Sequence, residues 1–100
     1  MERRLTIYVD IDGTICHTHE GDYKNSVPIK KNIEKINTLY NKGHYIVYWT
    51  ARGMRSGIDY TELTDKQLRQ WGCKHDRLEM NQKPSYDLLI CDKTKRIEEI

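Results

Sequence analysis

Phenylalanine is absent from the sequence, and cysteine and proline are scarce, with three and two residues among 100. Three thiols at irregular spacings, without a Cys-x-x-Cys pair, predict neither a disulfide framework nor a zinc site. Long apolar runs are missing too: none approaches the roughly 20 residues that cross a bilayer, and the first residues lack the apolar segment of a signal peptide. We therefore expect a cytoplasmic protein with reduced thiols and no membrane partner.

A strong excess of one charge is also missing. Seventeen Lys and Arg residues against fifteen Asp and Glu residues leave a formal charge of +2. Proteins that bind nucleic acid without specificity have a much larger excess of Lys and Arg, so this composition is compatible with nucleic acid only as a specific substrate. A length of 100 residues fits one domain, spanning residues 1–100, and the 37% hydrophobic fraction is enough for a small core.

Strand patterns recur along the chain. Residues 5–11 and 44–50 are rich in β-branched and aromatic side chains, which is typical of buried strands. Residues 86–91 indicate another strand, and residues 75–80 a weaker one.

Helix patterns fill the intervals. Pro28 is placed as a first-turn residue of a helix that Gly43 ends. Thr64 and Gln67 have the spacing of a capping box, which predicts the start of a short helix, although residues 58–63 also fit a helix. A terminal helix is expected after Asp92, running through Ile97 to Ile100.

The alternation predicts an α/β fold: a three-layer, Rossmann-like core with a mainly parallel sheet of about four strands and helices on its faces. Ligands of such sheets bind beyond the carboxyl ends of the strands. The side chains expected there are Asp10, Asp12, Thr50 and Asp92.

The acids in this set indicate a cation site. Asp10 and Asp12 share one direction at a strand end, and Asp92 adds a third charge. At an effective dielectric near 20, two unit charges about 4 Å apart repel by about 4 kcal/mol. Mg²⁺ offsets this repulsion and prefers oxygen ligands. Taken alone, an Asp followed by Gly13 after a strand also fits a plain turn.

A carboxylate-bound Mg²⁺ favours a phosphorylated small molecule as the substrate. The Thr50 hydroxyl and the Ala51 amide could hold phosphate oxygens, and Lys83 could stabilise the transferring group. The plainer interpretations are a β-forming threonine at Thr50 and a solvated lysine at Lys83.

Three segments in order, residues 7–14, 49–54 and 83–93, resemble the successive motifs of the haloacid dehalogenase (HAD) superfamily. The resemblance implies a Mg²⁺-dependent phosphohydrolase that forms an aspartyl-phosphate intermediate.

The resemblance also implies individual roles. Asp10 matches the nucleophile and a metal ligand, and Asp12 matches the general acid, with its main-chain carbonyl on the metal. Asp92 matches the remaining metal carboxylate, while Thr50 and Lys83 match the phosphate-holding pair. Many relatives carry a second acid where this chain has Cys91, which implies weaker Mg²⁺ binding or a site in which Asp92 suffices.

The intervals between the motifs leave no room for a cap domain. We expect the crevice to be covered by a bulky substrate, by a second subunit of a homo-oligomer, or by the loop Ile15 to Asn25.

A longer match, which runs from residues 49–54 to 83–84, is similar to small phosphatases of capsule and lipopolysaccharide biosynthesis. It implies a sugar phosphate or a related precursor, with Arg52 and Arg55 either binding an anionic group or simply solvated. Two alternatives stay open: a polynucleotide-end phosphatase, and a catalytically silent phosphate-binding or regulatory module.

Overall fold

The structure, a computed structural model, describes residues 3–80 and 88–90 of the chain. The elements in chain order are β1 (Thr6–Asp10), β2 (Cys16–His17), a 3₁₀ helix (Tyr23–Asn25), β3 (Val27–Pro28), α1 (Lys30–Asn41), β4 (Tyr45–Thr50), α2 (Thr61–Gln70), β5 (Arg77–Met80) and β6 (Leu88–Ile90).

Four strands form the main sheet in the order β5-β4-β1-β6, and each neighbouring pair is parallel. The chain steps from β1 through α1 to β4, and then through α2 to β5, in one direction across the sheet. Strand β6 lies on the other side of β1, so the strand order reverses between β1 and β6. In open α/β sheets this reversal marks the ligand crevice. The predicted α/β class and mainly parallel four-stranded sheet are confirmed.

The core lies between one face of the sheet and the two helices. Right-handed crossovers that step in the same direction place both helices on the same face. The buried cluster agrees with this, since it combines alternate residues of the two central strands with residues of both helices: Ile7, Val9, Ile46, Tyr48, Ile33, Ile36 and Leu68. The terminal helix predicted after Asp92 lies outside the described residues.

The segment before α1 differs from the prediction. Pro28 is not in the first turn of the helix; it belongs to β3, which pairs antiparallel with β2, and α1 follows the N-cap Ile29. Strands of two residues carry no periodic pattern, so the sequence did not indicate this small hairpin. The pairing of β2 with β3 folds the segment after β1 so that Thr18 contacts Asp12.

The second helix also differs. Helix α2 begins at Thr61 after the N-cap Tyr60, so Thr64 lies inside the helix and the capping-box interpretation is wrong. Thr64 and Gln67 are instead buried polar residues, 0% and 5% exposed. Over residues 3–80 the chain shows no inserted second domain, and none of the helices described is long and apolar enough to span a membrane.

Candidate active site

The carboxyl ends of β1 and β4 are neighbours in the sheet. The parallel register pairs Asp10 with Trp49, so Thr50 lies one residue further along at the same edge. Asp12 follows two residues after Asp10 and forms an isolated bridge with Cys16. The fold therefore brings three of the predicted site residues to one edge, whereas Lys83 and Asp92 lie outside the described residues.

The turn after β1 is held by backbone bonds. The amides of Thr14 and Ile15 both donate to the carbonyl of Ile11, and Gly13 takes a positive φ of 84°. A residue with a side chain rarely adopts this φ, which explains the glycine. Asn32 of α1, itself buried, donates through Nδ2 to the carbonyl of Thr14 at 2.8 Å. Helix α1 thereby fixes the loop that carries Asp12.

The Asp12 carboxylate is paired with a buried arginine. Arg52 is 1% exposed, and its Nε and Nη2 atoms approach Asp12 Oδ2 at 3.0 Å and Oδ1 at 2.8 Å. Two donors on two carboxylate oxygens form a bidentate pair, which fixes the orientation of both groups. The interpretation of Arg52 as a solvated side chain is therefore wrong.

The far side of the guanidinium is bound by helix α2. Nη1 of Arg52 donates to Thr64 Oγ1 at 3.1 Å and to Gln67 Oε1 at 2.6 Å. Gln67 in turn donates through Nε2 to the carbonyl of Tyr23, whose ring lies 4.8 Å from the Arg52 Cζ atom. We call Asp12, Arg52, Thr64 and Gln67 the Asp12 cluster. The anion that Arg52 binds in this structure is the Asp12 carboxylate. The predicted binding of an anionic substrate group by Arg52 stays a prediction.

The β2–β3 hairpin brings further hydrogen-bond donors to the Asp12 carboxylate. Thr18 follows β2 and donates to Asp12 Oδ1 at 2.6 Å, and its hydroxyl also meets Ser26 Oγ at 2.7 Å. The Cys16 thiol lies 3.6 Å from the same oxygen of Asp12. Burial raises the pKa of Cys16 to about 11, so the thiol keeps its proton and acts as a weak donor.

These donors control the charge of Asp12. Burial by itself raises the pKa of the Asp12 carboxyl, but the hydrogen bonds from Arg52 and Thr18 and the charge of Arg52 outweigh it. The pKa therefore lies below its ordinary value of 3.8, and Asp12 is a carboxylate at neutral pH.

The other two residues of the edge have local partners. The amide of Ile11 donates to Asp10 Oδ1 at 2.9 Å. Thr50 is 1% exposed, and its Oγ1 accepts from the amide of Arg52 at 3.1 Å. Because this oxygen acts as the acceptor, its own proton is directed away from that amide. Ala51, by contrast, is exposed at the carboxyl end of β4.

The donor chemistry of the edge fits Mg²⁺. The Asp10 carboxylate and the Asp12 carbonyl are hard oxygen donors, and Mg²⁺ is usually bound by one or two carboxylates with waters and substrate phosphates. The third predicted ligand, Asp92, lies outside the described residues. Over the residues that the structure does describe, no group of three or more His, Cys, Asp or Glu could hold a metal ion.

Several residues of this site were not predicted from the sequence. Thr64 and Gln67 share a face of α2 with the apolar residues Leu68 and Trp71. Buried polar side chains need hydrogen-bond partners, so this pattern could have indicated a buried polar group that binds them. Thr18 and Ser26 gave no such signal, because only the hairpin brings them to Asp12.

Two comparisons with known proteins found a match to this chain. The family model of haloacid dehalogenase-like hydrolases matches residues 7–71, which include every member of the Asp12 cluster. The crystal structure of a target protein from Vibrio cholerae is 25% identical, covers 79% of this chain and 71% of its own, and has a TM-score of 0.70. No curated protein matches the chain. With about two thirds of its residues matched, this chain belongs to the haloacid dehalogenase-like hydrolase family.

Proposed function

We propose that this hydrolase is a Mg²⁺-dependent phosphatase that cleaves a phosphate monoester through an aspartyl-phosphate on Asp10. One observation carries the proposal: two carboxylates at the ligand edge of the sheet have different surroundings. Asp12 is surrounded by donors that hold it ionised, while Asp10 lies at the end of β1 with the Ile11 amide on one oxygen. Because the bidentate bond from Arg52 fixes the orientation of Asp12, the two carboxyl groups can take different roles, Asp10 as the nucleophile and Asp12 as the proton carrier.

The first step forms one bond and breaks one. A carboxylate oxygen of Asp10 attacks phosphorus, and the bond between phosphorus and the leaving oxygen breaks with its electron pair on that oxygen. The leaving oxygen takes a proton from Asp12 and departs as an alcohol. The bidentate bond to Arg52 holds the Asp12 carboxyl in one orientation, which supports this transfer.

The proton for this step arrives with the substrate. Asp12 is ionised in the free protein because Arg52 and Thr18 hold its pKa low. Phosphate monoesters have a second pKa near 6, so a fraction of the substrate is the monoanion at neutral pH. This monoanion can pass its proton to Asp12, and the dianionic phosphate beside Asp12 then favours the protonated carboxyl.

The second step releases phosphate. Asp12, ionised again after the first step, takes a proton from water, and the water oxygen attacks the phosphorus of the aspartyl-phosphate. The bond between phosphorus and the Asp10 oxygen breaks, which regenerates the Asp10 carboxylate and gives inorganic phosphate. Asp12 is left protonated by this step, and its low pKa favours transfer of that proton to the departing phosphate or to water, which restores the carboxylate for the next cycle.

The groups that would hold the phosphate are those of the sequence prediction. The Asp10 carboxylate, the Asp12 carbonyl and Asp92 would hold Mg²⁺, which when bound neutralises charge on the phosphate oxygens. Thr50 and the Ala51 amide would donate to those oxygens, and Lys83 would add a positive charge.

The test is release of inorganic phosphate from sugar phosphates, nucleotides, phosphorylated oligonucleotides and an aryl phosphate, with Mg²⁺ or with EDTA. We expect Mg²⁺-dependent release that Asp10→Asn lowers by about 10³-fold or more, since the nucleophile is lost. Asp65→Asn, the same change on the outer face of α2, is the matched control and should retain activity. No release from the folded wild type, together with binding of inorganic phosphate, would favour the silent phosphate-binding module instead.

A further inference from the structure

A cavity of about 450 Å³ opens beside the carboxyl end of β4. Small-molecule sites commonly have volumes of about 300–1,000 Å³. Gly21 and Tyr23 line it from the loop after β2, and Ala51, residues 53–56 and Tyr60 line it from the segment after β4. We propose that this leaving-group pocket binds a planar aromatic ring in the leaving group of the substrate, such as the base of a nucleoside monophosphate. The inference rests on the proposed phosphatase function.

The walls of the leaving-group pocket are aromatic and apolar. The rings of Tyr23 and Tyr60 meet edge to face, with centroids 4.9 Å apart and planes at 73°. Met54, 57% exposed, lies on the same lining. Tyrosine faces stack on planar rings, and a methionine sulfur makes favourable contacts with aromatic groups. A flat ring therefore finds apolar contact on more than one side.

The polar side chains of the leaving-group pocket are chiefly donors. Arg55 offers five N–H groups, and Ser56 offers a hydroxyl whose oxygen already accepts from the Ile58 amide at 3.2 Å. Among the described residues that line the pocket there is no Asp, Glu, Asn, Gln or His. Each hydroxyl proton of a sugar polyol needs an acceptor, and among these side chains only the tyrosine and serine hydroxyls could accept it, whereas a nucleobase presents acceptor atoms, such as ring nitrogens, to the Arg55 donors. This donor set favours the base over the polyol.

The leaving-group pocket lies on the side of the proton donor. The Tyr23 ring that lines it also covers the guanidinium of Arg52, and Arg52 is bonded to Asp12. Asp12 protonates the leaving oxygen in the proposed mechanism, so the leaving group must lie near Asp12. Tyr23 connects the pocket to the Asp12 cluster, and Ala51, whose amide is a predicted phosphate donor, belongs to the pocket lining, so a ring in the pocket would adjoin the predicted phosphate site.

Backbone hydrogen bonds hold the wall formed by residues 51–58. The Met54 amide donates to the Ala51 carbonyl at 3.0 Å, and the Gly57 amide donates to the Gly53 carbonyl at 2.9 Å. Gly53 has a φ of 86°, and a Cβ atom added there would lie 2.0 Å from the Ile58 oxygen. Only glycine lets these backbone segments approach so closely, so the wall is preformed.

The experiment compares AMP with ribose 5-phosphate as substrates. Both release a phosphate from the same primary oxygen, and they differ at the anomeric carbon, which carries adenine in AMP and a hydroxyl in ribose 5-phosphate. We expect a kcat/KM for AMP about 10-fold or more above that for ribose 5-phosphate, which is the scale of one stacked base. Tyr60→Leu should bring this ratio close to one, and Tyr60→Phe, which keeps the ring, should retain it. The same substitution at the amino end of β4, Tyr45→Leu, is the matched control and should leave the ratio unchanged.

Outcomes for the pocket and for the phosphatase are separable. A phosphatase that prefers ribose 5-phosphate, or whose ratio does not respond to Tyr60→Leu, would overturn the pocket assignment and leave the proposed function intact. If neither substrate is cleaved, binding of adenosine, which has no phosphate, is measured by NMR against ribose. Adenosine binding that Tyr60→Leu weakens would support the pocket even then, and its absence would overturn it.

Discussion

Two arginines three residues apart in the segment after β4 have opposite surroundings. Arg52 is 1% exposed, and each of its guanidinium nitrogens has an acceptor in the Asp12 cluster. Arg55 is exposed and lines the leaving-group pocket. The comparison separates two tasks within one short segment: Arg52 fixes the orientation and charge of Asp12, while Arg55 remains available to a ligand. We therefore expect replacement of Arg52 to lower the stability of the fold, and replacement of Arg55 to leave stability nearly unchanged and to affect ligand specificity.

The largest expected effect is that of Arg52→Met. This variant leaves Asp12 without its counter-ion and leaves Gln67 and Thr64 without a shared partner. Removing one member of a buried pair costs about 3–5 kcal/mol. Because Asp12 is partly solvated, we expect the free energy of unfolding, measured with urea, to fall by about 3–4 kcal/mol. Arg55→Met is the matched control and should change the free energy of unfolding by about 0.5 kcal/mol or less. Equal losses in the two variants would contradict the comparison.

A second pair of variants tests the wall of the leaving-group pocket. Gly53 and Gly57 both have positive φ, 86° and 76°, but only at Gly53 would a Cβ atom collide, 2.0 Å from the Ile58 oxygen. Gly57→Ala should cost about 1 kcal/mol through φ alone. Gly53→Ala should cost about 2–3 kcal/mol, because the backbone must also move. Urea unfolding measures both, and equal costs would mean that the wall adapts to the added methyl group.

The sequence predicted the sheet well because a parallel α/β sheet leaves strong marks. β1 and β4 are buried, β-branched or aromatic runs, and both end at the residues that form the site edge. It predicted the environment of Arg52 poorly. An arginine beside Ala51 and Gly53 at a strand end is typical of a surface loop, and its burial depends on the hairpin and on α2 together. Such a cluster depends on residues up to 40 positions apart, whereas local patterns describe only neighbours.

The position of Pro28 was misjudged for a related reason. Proline fits the first turn of a helix and also a short edge strand, and the sequence alone does not distinguish the two. The pairing of Pro28 with Cys16 decides the matter, and it also brings Ser26 to the Asp12 cluster. Local propensity therefore located the helix but not the hairpin that precedes it.

The smallest effect, on acid stability, tests whether the Asp12 cluster holds its carboxylate ionised. Burial opposes ionisation, but Arg52 and Thr18 keep the pKa of Asp12 below 3.8 in the folded chain. A group whose pKa is depressed on folding contributes stability that is present above the unfolded pKa and is lost as the pH falls through the folded pKa. The difference in free energy of unfolding between wild type and Asp12→Asn should therefore be constant from about pH 7 to about pH 5 and shrink below pH 3.8. Asp59→Asn is the control, because the carboxyl of Asp59 is fully exposed and solvent screens its charge, so its pH dependence should be weaker. A difference that stays constant to about pH 3 would show that Asp12 is not held by its donors, and the contrast between Arg52 and Arg55 would then be one of packing rather than charge.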